Sequence, residues 1–272
     1  MKTKIGIISP TYDRPDLMEQ LHRSISSCPT QTDWCHYVID DGSAADYTTT
    51  FADCQKLSGR LATTRIPNSG PLIARNHAID MAIADNCTHL CFLDDDDQLA
   101  PDGLTCIGER IRAFSDEKWL MFSSNLKQSS EWPDTPRTVS WFDDVVRKGS
   151  YGSDNLVVIS ADIVGQMRFS TRGRNQREWT FFFDLSRKHD QVLVCPEKLR
   201  IINYQNGGLT DQAHQQVHSL EQIHNSLERA VRYWLRRPYL PALMANAAKQ
   251  ILLTPMRLTS YYLAHSPKHA CS

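Results

Sequence analysis

Four successive aspartates, Asp94–Asp97, directly follow the short apolar run His89-Leu90-Cys91-Phe92-Leu93. That run is too short for a full helix and reads as a buried strand. Adjacent carboxylates raise one another's pKa and oppose folding unless something positive neutralises them. A hard divalent cation bound through oxygen is one remedy, and Mg²⁺ or Mn²⁺ keeps positions open for phosphate groups. The first expectation is therefore a metal–diphosphate site at the carboxyl end of a central strand. The plainer alternative is an acidic surface turn that caps the next helix.

The rest of the N-terminal half repeats the pattern of strand, polar corner and helix. Lys4–Ser9 is rich in β-formers and Pro10 is expected to end it; Thr11-Tyr12-Asp13-Arg14-Pro15 then leads into a helix with Leu17, Leu21 and Ile25 on one face. Tyr37-Val38-Ile39 closes in Asp40-Asp41-Gly42-Ser43, where Gly42 permits a tight turn and Ser43 is expected to cap a helix running to about Leu57. A strand at Leu61–Ile66 is followed by the turn Asn68-Ser69-Gly70-Pro71. The helix after it buries Leu72, Ile79 and Ile83 and carries Arg75 and Asn76 in its first turns. After the aspartates come a helix opening at Pro101 and a strand near Trp119–Phe122. Such alternation predicts a mostly parallel sheet flanked by helices. In open sheets of this kind ligands bind beyond the carboxyl ends of the strands, where all these polar corners fall.

Beyond Phe122 the regularity breaks. Residues 123–150 are rich in Ser, Pro and charge, and residues 168–177 form a second polar stretch; both are expected to shape a pocket. Short strands are expected at Leu156–Ile159, Val192–Cys195 and Leu199–Ile202, with a helix carrying Glu178, Trp179, Phe182, Phe183 and Leu185. From Ser219 an amphipathic helix places Leu220, Ile223, Leu227, Val231 and Trp234 at spacings of three and four. Pro238 and Pro241 are expected to break it, and a second helix over 242–254 to end or kink at Pro255. The chain thus divides into an alternating α/β stretch (1–125), a less regular stretch (126–215) and a helical extension (216–272).

Charge separates the last part from the rest. The formal total is −1, yet residues 229–272 hold seven Lys or Arg and no acid, against −8 elsewhere. A basic tail on an acidic body points to an anionic partner. Its helices could lie on an anionic inner membrane as a peripheral contact, or pack on the body or a second subunit of a homo-oligomer; nucleic acid is disfavoured by the acidic body. The eight cysteines form no C-x-x-C pair and no disulfide framework, which with the absence of a signal peptide predicts a cytoplasmic protein. No apolar span approaches the length of a transmembrane helix.

Several chemistries find no support. There is no Walker loop, no Gly-x-Gly-x-x-Gly, no His-Glu-x-x-His and no Gly-x-Ser-x-Gly. What is present is an ordered series: Pro10-Thr11-Tyr12-Asp13-Arg14, Asp40-Asp41-Gly42-Ser43, Asn68-x-Gly70 leading to Ala74-Arg75-Asn76, and Phe92-Leu93-Asp94-Asp95-Asp96-Asp97 ending in Pro101. In order and spacing this resembles family 2 glycosyltransferases with the GT-A fold. The likeness is strong over residues 4–125, moderate to about 210 and absent beyond.

The resemblance implies an inverting, metal-dependent transfer from a nucleotide sugar, with a UDP-sugar as donor and a glycan or lipid-linked glycan as acceptor in cell-surface polysaccharide synthesis. Thr11, Tyr12 and Arg14 would border the nucleotide and Asp40 would accept from the base. Arg75 would lie near the base and diphosphate, Asp94 and Asp95 would belong to the nucleotide site, and Asp96 would ligate Mn²⁺ or Mg²⁺. Glu178 would be the general base. Two departures stand out: Arg177 replaces an acid before Glu178, and Gln205-Asn206 stand where relatives often place a His, with His214 a candidate substitute. Rival readings are transfer to a polyprenyl phosphate, nucleotidyl transfer to a sugar phosphate, and a catalytically silent scaffold.

Overall fold

The computed structural model describes residues 2–126, 132–152, 154–172, 177–203, 220–237 and 240–265. Residues 204–210, including Gln205-Asn206, lie outside them, as do His214 and Pro238. Two compact units are formed, Met1–Tyr204 and Gln205–Ser272.

The first unit is built on one sheet. Its strands are β1 (Lys4–Thr11), β2 (Asp33–Asp40), β3 (Leu61–Arg65), β4 (His89–Phe92), β5 (Asp97–Leu99), β6 (Trp119–Ser124), β7 (Arg137–Ser140), β8 (Leu156–Ser160) and β9 (Gln191–Ile202). They run in the order β3-β2-β1-β4-β8-β6-β9-β5, with β7 also paired to β9. The first four are parallel to one another; from β4 to β8 the pairing turns antiparallel, and only β6 with β9 is parallel beyond that point. The α/β alternation that demands parallel crossovers thus holds where the sequence repeats it and lapses after β6.

Strand periodicity explains the layering. Ile5 and Ile7 face a core that includes Leu21 and Ile25 of α1 (Pro15–Ser26) and Leu104, Ile107 and Ile111 of α4 (Gly103–Ala113). Gly6 faces the other way, where a Cβ would meet Ala82 Cβ at 2.9 Å and Cys87 Sγ at 3.2 Å, because α3 (Pro71–Ala84) packs directly on the strand. Helix α2 (Thr48–Ser58) joins α1 and β2 through Met18, Val38, Tyr47 and Cys54, and a single helical turn, α5 (Ala161–Val164), follows β8.

Several local expectations are corrected. Pro10 does not end β1, which continues to Thr11. Pairing with β4 stops at Ile8↔Phe92, and Ile8 O turns toward β4 to accept from Leu93 N. By alternation the missing N–H of Pro10 faces that same side, beyond the ladder, so it costs no sheet bond. Ser43 does not cap α2, which begins at Thr48; its Oγ accepts from Asp13 N instead, at 2.9 Å. The two strands expected around Pro196 are one twelve-residue strand, with a register shift against β6 where Cys195 gives way to Lys198. A bulge absorbs the proline.

In the second unit the helices Leu220–Arg236 and Pro241–His265 pack together, burying Ile223, Ala230 and Ala247. Pro241 opens the second helix, a position that needs no N–H, and Pro255 sits within it rather than ending it. Leu235, Met244, Ile251, Leu252 and Met256 are exposed. Among the described residues no helix is long and apolar enough to cross a membrane.

A buried polar chain runs beneath the sheet ends. Ser9 Oγ donates to Leu93 O (2.6 Å) and meets His36 Nε2 (3.0 Å); His36 Nδ1 lies 3.0 Å from His22 Nδ1, whose Nε2 reaches Cys54 O and Ser58 Oγ. Burial drives the His22 pKa down to about 4, opposed by the Cys54 carbonyl and assisted by Arg23. Above the ordinary histidine pKa the ring is neutral in both states. Below it the unfolded chain takes up a proton that the folded chain refuses, so stability falls as pH drops toward 4. Replacing His22 with Gln should therefore flatten the pH dependence of urea unfolding in this window by up to about 1.4 kcal/mol per pH unit. An unchanged slope would show that His22 is protonated in the fold.

Candidate active site

The strand order reverses between β1 and β4: the chain steps from β1 out to β3, then crosses to place β4 on the other side of β1. The crevice at such a switch point is where open sheets bind ligands. Here its two lips are Thr11–Arg14, leaving β1, and Asp94–Asp97, leaving β4. Hydrogen bonds tie them together. Thr11 Oγ1 donates to Asp95 Oδ2 at 2.8 Å and lies 2.7 Å from Tyr47 OH, which accepts from Arg14 N at 2.8 Å. Arg14 Nη1 reaches Asp95 Oδ1 at 3.3 Å and Asp96 Oδ2 at 3.1 Å.

A second network holds the other two aspartates. Arg75, buried on α3, donates to both Asp94 and Glu178. Glu178 is the first residue of α6 (Glu178–Ser186), and its side chain is 50% exposed. The Arg75 guanidinium lies 5.9 Å from the Phe169 ring. Phe169 is fixed in turn by Asn76, which donates to its carbonyl (3.0 Å) and accepts from its N–H (2.8 Å). Phe169 stacks on Phe181, within an apolar wall that includes Phe92 and Phe182. Arg200 on β9 binds Asp97 through Nε at 2.7 Å and approaches Asp94 Oδ2 at 3.4 Å.

These networks set the charge of the corner. Burial would raise the Asp94 pKa, but Arg75 and Arg200 outweigh it and hold the group below the usual carboxylate range. Burial pushes Asp95 up to about 6 against the Thr11 bond and Arg14, and pushes Asp97 up to about 7 against Arg200. Five carboxylates (Asp94–Asp97 and Glu178) meet three guanidiniums, a formal excess of two negative charges.

That excess, with a partly exposed Asp96 carboxylate at the crevice, fits a divalent cation. No group of three His, Cys, Asp or Glu able to hold a metal occurs among the described residues. A cation here would therefore take its remaining ligands from beyond the described residues, and phosphate oxygens are ligands of the right kind.

Asp40 and Tyr12 stand apart from the aspartate networks. Thr11 and Asp40 are register partners at the ends of β1 and β2. Asp40 is buried, accepts from Ser43 N at 2.9 Å and lies 3.5 Å from Arg65 Nε. Tyr12 is exposed. The neighbouring Asp41 instead accepts from Ser69 N and Gly70 N at 2.7 and 2.8 Å, locking the turn before α3. Gly42, at φ +75, leaves no room for a Cβ, which would lie 2.6 Å from Asn68 N. Tyr47, Arg200 and Phe169 are parts of the site that the motifs do not flag, while Asp97 and Asn76 lie within the motifs but carried no assigned role. Arg177, in place of the expected acid, is buried at the N-cap of α6, where its carbonyl accepts from Thr180.

With this geometry in place, the comparisons identify the class. Residues 6–117 match the family model described as Glycosyl transferase family 2, and this stretch carries both lips of the crevice. The class is glycosyltransferase, and the resemblance read from the motifs is borne out over that span. Among solved structures, S. aureus TarS 1–349 in complex with UDP-GlcNAc superposes with a TM-score of 0.70 at 15% identity, covering 98% of this chain and 77% of that one. TarS 1–349 in complex with UDP gives 0.65 at 15%, over 98% and 74%. The mannosyltransferase PcManGT from Pyrobaculum calidifontis, in complex with GDP-Man and Mn²⁺, gives 0.59 at 14%, over 98% and 77%. At such identities the likeness establishes the fold, that of GT-A glycosyltransferases. No curated protein sequence matches significantly.

The two kinds of aspartate should separate on substitution. Asp41→Ala removes two hydrogen bonds to a buried carboxylate, each worth about 1.5–3 kcal/mol, and should lower unfolding stability by about 3 kcal/mol. Asp96→Ala, which loses a part-exposed ion pair, should cost less than about 1 kcal/mol. Urea denaturation of both variants checks this, and equal losses would contradict the division.

Proposed function

We propose that the chain transfers a sugar from a nucleotide-diphosphate donor, a UDP-sugar, to a hydroxyl of a glycan or lipid-linked glycan, with inversion at the anomeric carbon. The observation that carries this reading is the Arg75 bridge, in which one guanidinium touches both Asp94 at the crevice and Glu178 at the start of α6. It sets the candidate base beside the candidate diphosphate corner. The TarS and PcManGT complexes, with UDP, UDP-GlcNAc or GDP-Man, support the donor class.

In this reading Thr11, Tyr12 and Arg14 line one side of the donor, Asp40 accepts from the base, and Arg75, Asp94 and Asp95 border the diphosphate and ribose. Asp96 would hold Mn²⁺ or Mg²⁺, which when bound neutralises charge building on the departing nucleoside diphosphate. Glu178 takes the proton from the acceptor hydroxyl, and that oxygen attacks the anomeric carbon from the face opposite the diphosphate. The bond from that carbon to the diphosphate oxygen breaks as the new glycosidic bond forms. A carboxylate at a helix N-terminus, half open to solvent and paired with Arg75, is suitably placed for that proton transfer. Much of the acceleration would come from holding two substrates in line.

The second unit supports the acceptor class proposed here. Met244, Ile251, Leu252 and Met256 are exposed on a helix that also carries Lys249 and Arg257 and no acid. Such a surface suits the anionic cytoplasmic face of a membrane carrying a lipid-linked glycan.

A panel of UDP- and GDP-sugars, each with and without Mn²⁺, should contain a donor that stabilises the protein only with metal and is slowly hydrolysed. Glu178→Gln should keep that binding and lose at least about a hundredfold in transfer, whereas Asp96→Ala should lose the metal-dependent binding. Transfer that survives Glu178→Gln would remove Glu178 as base; binding without turnover, unchanged by that substitution, would favour a silent scaffold. The protein should also float with liposomes containing anionic phosphatidylglycerol and not with neutral ones. Equal flotation with both would argue against electrostatic docking.

A further inference from the structure

The fourth aspartate of the run is left over by this scheme. Asp97 is only 2% exposed and opens β5, so its carboxylate is closed off from solvent. Its partner is Arg200. On β9, paired antiparallel to β5, Arg200 lies opposite Leu99 in register and its guanidinium reaches back along the strand. Nε and Nη2 bind Asp97 Oδ2 at 2.7 and 2.6 Å, Nη2 approaches Asp94 Oδ2 at 3.4 Å, and Nη1 approaches Asn155 O at 3.4 Å. The backbone closes the same loop, for Asp97 N donates to Asp94 O at 3.1 Å. One planar group therefore grips the first and last side chains of a four-residue turn. The middle pair, Asp95 and Asp96, is left to the opposite side, where Arg14 and Thr11 receive them.

We propose that Arg200 is a positioning residue for metal and donor binding: by bracing Asp94 and Asp97 together it fixes the turn that presents Asp96 to the cation. This rests on the reading of Asp94–Asp96 as the diphosphate corner. A guanidinium suits this role because its rigid fork holds two carboxylates at a set spacing, which the point charge of a lysine does not. Groups that orient a metal ligand without touching the metal are commonly worth tenfold to a hundredfold in affinity.

The test compares wild type, Arg200→Lys and the double variant Arg200→Met with Asp97→Asn, which removes both buried charges together and so avoids stranding one. Mn²⁺ is titrated by calorimetry into protein saturated with UDP, and urea unfolding is measured alongside. The brace predicts Mn²⁺ affinity at least about tenfold weaker in both variants and near-wild-type stability in the double variant. A double variant that binds Mn²⁺ as wild type does would make Arg200 and Asp97 a stability pair only and overturn the proposal. If wild type itself binds neither UDP nor GDP with Mn²⁺, the functional reading fails separately. The brace is then decided by a crystal structure of the double variant: a displaced Asp94–Asp96 turn upholds it, and an unmoved turn overturns it.

Discussion

Four adjacent carboxylates at the end of one strand repel one another, and the first unit can close only because cations reach them from distant parts of the chain. Arg14 arrives from the start of α1, Arg75 from α3 and Arg200 from β9. The separations are large: Arg14 meets Asp95 across 81 residues and Arg200 meets Asp97 across 103. The acidic turn is thus a point on which the parallel and antiparallel parts of the sheet converge. Its incomplete neutralisation, a formal excess of two negative charges, gives the corner an appetite for a divalent cation.

The sheet supplies the place and the loops supply the chemistry. Reversal of strand order between β1 and β4 opens a crevice at the ends of two adjacent parallel strands, and Thr11 bridges it to Asp95. Around that crevice some polar residues hold geometry and others are free to act. Asp41 and Gly42 belong to the first kind, since they fix the turn that starts α3 and so aim Arg75. Asp96 and Glu178 belong to the second, being partly open and, among the described residues, held by arginines. Arginine contacts of this kind can be exchanged for phosphate oxygens without unfolding anything.

Much of this was legible in the sequence because strands, helices and turns announce themselves locally. The apolar run before Asp94, the helical spacing of Leu21 and Ile25, and the turn residues around Gly42 each dictate structure within a few positions. The residues proposed for the donor side could be picked out for the same reason, as they sit where parallel strands end. Failures came where a local signal had a tertiary answer. Pro10 reads as a strand terminator, yet its missing N–H falls beyond the β4 ladder; Pro196 reads as a break, yet a bulge absorbs it. Ser43 has the chemistry of a cap but spends its hydroxyl on Asp13. Arg200, Tyr47 and Phe169 were invisible for a stronger reason: no periodicity states which antiparallel partner a strand will take, and each of these acts across such a junction or a loop.

The central claim is that the tetra-aspartate corner clamps a diphosphate through a metal. The most direct measurement is a crystal of the full chain grown with Mn²⁺ and UDP, with data collected to show the anomalous signal of manganese. The account predicts one strong anomalous peak touching an Asp96 oxygen and both phosphates, with Thr11, Tyr12 and Asp40 around the nucleoside. Manganese absent from Asp94–Asp97, with the nucleotide bound at a site remote from β1 and β4, would contradict it.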